Sequence, residues 1–152
     1  MRDVDGLAYV RNNVDTPILA HESAWTFYDA LDVVKRKAAD ALQLDPRFDY
    51  GFSAMKKAAG IAEAAGLPIC MHGWYGSGIS MGAFTNLLAS IPNATIPSQT
   101  HYYHLAGDII EEGPLEFGKG YMEVPEGPGN GVELDEDKFE KYADIYQNSI
   151  VD

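Results

Sequence analysis

The chain has 152 residues, 46% of them hydrophobic and 22% charged, the proportions of an ordinary folded protein and not of a disordered or fibrous one. Its net charge of −12 repels nucleic-acid phosphates and anionic lipid heads, so neither is expected as a partner. One cysteine, Cys70, allows no disulfide framework and no thiolate zinc site; no run is apolar for long enough to span a bilayer, and the first residues lack a signal peptide's apolar core. A cytoplasmic protein is expected.

In chain order, the first strand expected is Pro17 to Glu22, a short apolar run stopped by polar residues. Thr26-Phe27-Tyr28-Asp29 then opens a helix with a capping-box pattern, running to about Ala39 with Phe27, Ala30, Leu31 and Val34 on one face. Its basic end, Lys35-Arg36-Lys37, is read as solvated, cations being favoured at a helix C-terminus. Asp40 to Asp45 is the second strand, and a helix from Ser53 to Ala65 follows, with Ser53 as N-cap, Gly66 as its stop and Pro68 just beyond.

The pattern recurs. Leu67 to His72 is the third strand, Gly73 to Gly78 a glycine-rich loop, and Ile79 to Ser90 a helix. After Pro92-Asn93 comes a fourth strand, Ala94 to Ser98. Strands joined through helices pair in parallel, so the class is α/β; the repeat suits either a doubly wound sheet or part of a barrel. Leu115 to Val124 then alternates like a hairpin around Gly118-Lys119-Gly120, and Asp135 to Gln147 reads as an acidic amphipathic helix.

Ligands of parallel sheets gather at the carboxyl ends of the strands. Those ends carry Glu22, Asp45, His72 and Ser98-Gln99. Two carboxylates and an imidazole there offer a hard-cation ligand and an acid/base pair, with an aspartate fixing the tautomer of His72. Each also has a plainer reading: Asp45 before Pro46 as a turn residue, Glu22 as a charge at a helix start, His72 as a loop histidine. The Gly73–Gly78 loop could approach an anion at a helix N-terminus, which leaves a phosphate-binding module as a further reading. The cluster His101-Tyr102-Tyr103-His104 is read as an aromatic loop over the cavity in preference to a metal site.

The segments Ile18-Leu19-Ala20-His21-Glu22-Ser23, Leu42-Gln43-Leu44-Asp45 followed by Gly51, Gly60 to Pro68, Met71-His72 and Val124-Pro125-Glu126-Gly127-Pro128-Gly129 together resemble the enolase superfamily. The likeness is to the carboxyl-terminal portion of its mandelate racemase and muconate lactonizing enzyme family, in the mandelate racemase-type branch. It implies the C-terminal half of a (β/α)₈ barrel over residues 1–113, with a hairpin and helix tail over 114–152 that packs on a capping domain in a full-length relative. It implies a Mg²⁺-dependent acid-sugar dehydratase or racemase that abstracts the proton α to a carboxylate, giving an enediolate, on a sugar-acid or other small carboxylate substrate.

On this resemblance Glu22 is a metal ligand, His72 the base or acid and Asp45 its orienting partner; the muconate-lactonizing branch would have Lys at position 45. Gln99, His101 and Trp74 are the expected substrate contacts. The other metal ligands of the family fall outside these segments, so an isolated chain is expected to be incomplete and to form homo-oligomers. The rival expectation is a non-catalytic half-barrel that self-associates through its open edges.

Overall fold

The computed structural model describes residues 3–48, 51–73 and 75–150. The elements in chain order are α1 (Val4–Asn12), β1 (Leu19–Ala20), α2 (Phe27–Lys35), β2 (Ala41–Leu44), α3 (Phe52–Ala64), β3 (Ile69–Met71), α4 (Gly78–Ala89) and α5 (Glu136–Ile150). Short 3-10 turns cover Glu22–Ala24 and Tyr102–His104. Two compact units emerge, one from residues 1–73 and 87–99, the other from 74–86 and 100–152. No helix among the described residues is long and apolar enough to cross a membrane.

In the first unit β1, β2 and β3 form a parallel sheet in that order. Leu19 pairs with Ala41 and Ala20 with Leu42, while Leu42, Gln43 and Leu44 pair with Ile69, Cys70 and Met71. Register partners point to the same side of a pleated sheet and successive residues to opposite sides. Ala20, Leu42, Leu44, Ile69 and Met71 therefore share one buried face. Helix α3, which packs on β2 and on α2, supplies Met55, Ala58, Ala59 and Ala62 to this core. The opposite face carries Gln43 and, at the strand ends, His21, Asp45 and His72.

Thr26 caps α2 as expected: its hydroxyl accepts from the Asp29 N–H, and the Asp29 carboxylate accepts from the Thr26 N–H at 3.0 Å. The helix stops at Lys35 instead of reaching Ala39. Lys37 adopts φ 52°, its N–H donates to Val34 and that of Ala38 donates to Val33, which is a Schellman stop built without glycine. Helix α3 ends the same way with Gly66 at φ 72°. It starts earlier than Ser53: Gly51 is the N-cap, at φ 95° and with no side chain to cap. The buried face of α2 carries Ala30 and Val33, and Leu31 is exposed.

Helix α1 has no counterpart in the sequence reading. Its Asp3 cap accepts from the Gly6 N–H, and its Arg11 grips Asp40, whose other oxygen accepts from Ile18 just before β1. Nor is the basic end of α2 simply solvated, since Arg36 pairs with Asp32 and with Asp5 of α1. The fourth strand expected over Ala94–Ser98 does not form. Pro97 lacks a donor, and the Ser98 hydroxyl takes the Met71 N–H in place of a ladder carbonyl. What survives is one parallel bridge, His72 to Gln99.

In the second unit Asp108 accepts from the Gly78 N–H that opens α4, at 2.9 and 3.1 Å, and from the Ile109 N–H at 2.8 Å. The Tyr102 hydroxyl donates to the same carboxylate and accepts from the Leu115 N–H. The hairpin read over Leu115–Val124 is reduced to reciprocal bonds between Gly118 and Tyr121 across Lys119 and Gly120, both at positive φ. An antiparallel bridge joins Ile110 to Leu134 ahead of α5, and Lys138 of that helix donates to the Ile110 carbonyl.

Candidate active site at the strand ends

Asp45 follows β2 directly, and His72 follows β3 directly. Both are buried, at 4% and 5% exposure. His72 Nδ1 lies 3.2 Å from Asp45 Oδ2. An ionised carboxylate only accepts, so this contact puts a proton on Nδ1 and leaves the lone pair on Nε2. Asp45 is also the turn residue that its neighbour Pro46 suggested, because its Oδ1 accepts from the Arg47 N–H at 3.0 Å. The one carboxylate makes both the turn contact and the His72 contact.

Arg47 is the residue that the sequence reading missed. Its Nε donates to Asp45 Oδ1 at 2.9 Å, and its Nη2 donates to Oδ2. Nη2 also lies 3.5 Å from His72 Nδ1. Burial works against a charge on Asp45, but the side-chain and backbone hydrogen bonds of Arg47 outweigh it and hold the carboxyl below the usual carboxylate range. The available signal was an arginine two residues beyond a strand-terminal aspartate, the spacing at which an Asx turn folds a side chain back.

His21 stands on the other side of His72, with ring centroids 4.9 Å apart and planes at 60°. Its Nδ1 lies 3.1 Å from the Gln43 carbonyl, an acceptor, so here too Nδ1 holds the proton. Gln99 joins this group through its bridge to His72 and a 3.4 Å contact between its Oε1 and Gln43 Nε2. Cys70, beneath them, is a packing residue: burial pushes its thiol up to about 11, far from a thiolate nucleophile.

The remaining expected residues are placed differently. Glu22 begins the turn after β1, exposed and without an ion pair to another described residue. His101 belongs to the second unit, stacked on Tyr75 at 5.0 Å and on His104 at 5.9 Å. Trp74 lies outside the described residues. The helix N-terminus beyond the Gly73–Gly78 loop already holds an anion, the chain's own Asp108. Among the described residues no group of three or more His, Cys, Asp or Glu side chains could hold a metal ion. Glu22 by itself does not make a Mg²⁺ site, so the described residues alone do not fit that ion.

Residues 1–138 match the family described as enolase C-terminal domain-like. The chain belongs to that family. It is 27% identical over 139 residues to arabinonate dehydratase of Saccharolobus solfataricus, covering 91% of this chain and 37% of that protein. It is 32% identical over 139 residues to muconate cycloisomerase 1 of Rhodococcus opacus, covering 90% and 37%. Among solved structures, an enolase from Gibberella zeae PH-1 complexed with magnesium, formate and sulfate superposes with a TM-score of 0.88 at 28% identity, over 96% of this chain and 35% of that one. The chain thus spans well under half the length of these relatives. Their names cover dehydration and cycloisomerisation, both enzymatic, and do not favour the non-catalytic half-barrel.

Proposed function

We propose that this chain is the proton-transfer portion of an acid-sugar dehydratase or racemase, the carboxyl-terminal half of a (β/α)₈ barrel, in which His72 takes the proton from the carbon α to a carboxylate. The observation that carries this reading is the buried Asp45–His72 contact on neighbouring strand ends. The carboxylate holds Nδ1–H, so Nε2 accepts the α-proton and an imidazolium forms against Asp45. In racemisation a second acid, missing from this chain, delivers a proton to the opposite face of the carbon, and the proton on His72 leaves to solvent. In dehydration it passes to the leaving hydroxyl, and the balance closes with release of water. Aspartate at position 45, and no lysine there, favours this chemistry over cycloisomerisation.

Gln99, beside His72, is the substrate contact this geometry best supports; Trp74 and His101 complete the proposed set. Mg²⁺ belongs to the reading as the whole enzyme's cofactor, with Glu22 one of its ligands and the others missing from this chain. The setting is cytoplasmic, and a second copy of the chain is a partner, Leu19 of the outer strand β1 being exposed.

The test is exchange of the α-proton with solvent, followed by ¹H NMR in D₂O across a panel of sugar acids. His72→Asn should lower the exchange rate roughly 10²- to 10⁴-fold, the usual contribution of a positioned acid/base. Exchange that continues unchanged in the variant removes His72 from this role.

A further inference from the structure

The Asp45–His72 pair is not a simple dyad, because a third charged group is bound into it. Asp45 Oδ1 accepts from Arg47 N and Nε; Oδ2 accepts from both Arg47 Nη2 and His72 Nδ1. The Asp45 side chain is 1% exposed and that of His72 7%, whereas Arg47 is one third exposed and reaches in from the loop. Among the described residues, the charged or titratable groups facing His72 are Asp45 and Arg47 from the β2 end and His21 from the β1 end; Gln99 is neutral.

A lone buried carboxylate would raise the proton affinity of the imidazole it touches. Here, among the described groups, Arg47 balances the charge of Asp45, so a proton on His72 meets a second positive group, Nη2, 3.5 Å from Nδ1. We infer that Arg47 is a positioning residue that fixes the Asp45 carboxylate and, by sharing it, keeps His72 in the neutral form able to accept a proton. This rests on the reading of His72 as the base. Arginine suits the task because its fork binds both carboxylate oxygens and it stays charged at any working pH.

The test is the titration midpoint of His72 in the full chain, followed by its imidazole C–H resonance in NMR without substrate or added metal. The signal is assigned among the four histidines by its absence in His72→Asn. Arg47→Gln should raise the midpoint by about one pH unit, the scale on which a neighbouring charge shifts a titration. Arg47→Lys, which keeps the charge, should leave it near the wild-type value, an outcome that a purely structural role does not predict. If the Gln variant does not fold, Arg47→Met, retaining the aliphatic stem, takes its place. A midpoint that stays or falls in the neutral variants, or that rises as far in the Lys variant, overturns the inference. α-Proton exchange that continues unchanged in His72→Asn would sink the proposed function and leave this titration fully readable.

Discussion

Asp45 in the first unit and Asp108 in the second are both buried carboxylates, yet they are satisfied in opposite ways. Asp45 is held by one backbone N–H but mainly by a guanidinium and an imidazole, groups that carry or exchange protons. Asp108 is held by two backbone N–H groups and a phenol. That phenol is committed as well: burial and the Asp108 hydrogen bond push the Tyr102 hydroxyl up to about 12. A carboxylate among ionisable partners can answer a proton moving nearby, whereas one among backbone donors can only tie the start of α4 to the loop after Tyr102. Burial alone therefore does not say whether a carboxylate can respond to a nearby proton; the chemistry of its partners does.

The sharpest test of this contrast is Asp45→Asn. It leaves Arg47 without its carboxylate and should cost about 2 to 3 kcal/mol in urea unfolding, below the full scale for a buried ion pair because Arg47 is one third exposed. It should also remove α-proton exchange. Asp108→Ala strands two N–H groups and a hydroxyl and should cost about 2 to 3 kcal/mol, while the His72 midpoint stays put. A moved midpoint in that variant would break the separation between the two carboxylates.

The acid limb of stability sharpens it further. The folded Asp45 carboxyl lies below the usual value of 3.8, so its stabilisation is present above that pH and is lost as pH falls through the lower folded value. Unfolding followed by circular dichroism should show that loss in the wild type and its absence in Asp45→Asn. The smallest effect is expected at the edge of the first unit: Thr26→Ala removes half of the capping box and should cost about 1 kcal/mol in the same unfolding assay.

The helices that the sequence showed well are those whose ends are written in local chemistry, Thr26 with Asp29 at one start and Gly66 at one stop. The end of α2 was not legible, because a lysine at φ 52° makes the stop and lysine carries no turn signal. Helix α1 escaped for a related reason: Gly6 and the β-branched Val4 and Val10 give it little helical propensity, and the grip of Arg11 on Asp40 lies 29 residues away in the chain. The fourth strand was expected from an apolar run, but Pro97 cost it the donor that a ladder requires.

The sequence by itself determined that the chain is α/β with parallel strands, that it resembles the enolase superfamily, and that Asp45 and His72 stand at successive strand ends. The class and the strand ends follow from residue type and spacing along the chain, the resemblance from the likeness of its segments. Only the tertiary structure decided that Arg47 shares the Asp45 carboxylate, that His21 faces His72, and that the helix N-terminus after the glycine-rich loop is filled by Asp108. Those contacts join residues through the direction of side chains and the closing of loops, and spacing along a chain does not encode which of two nearby donors a buried carboxylate will hold.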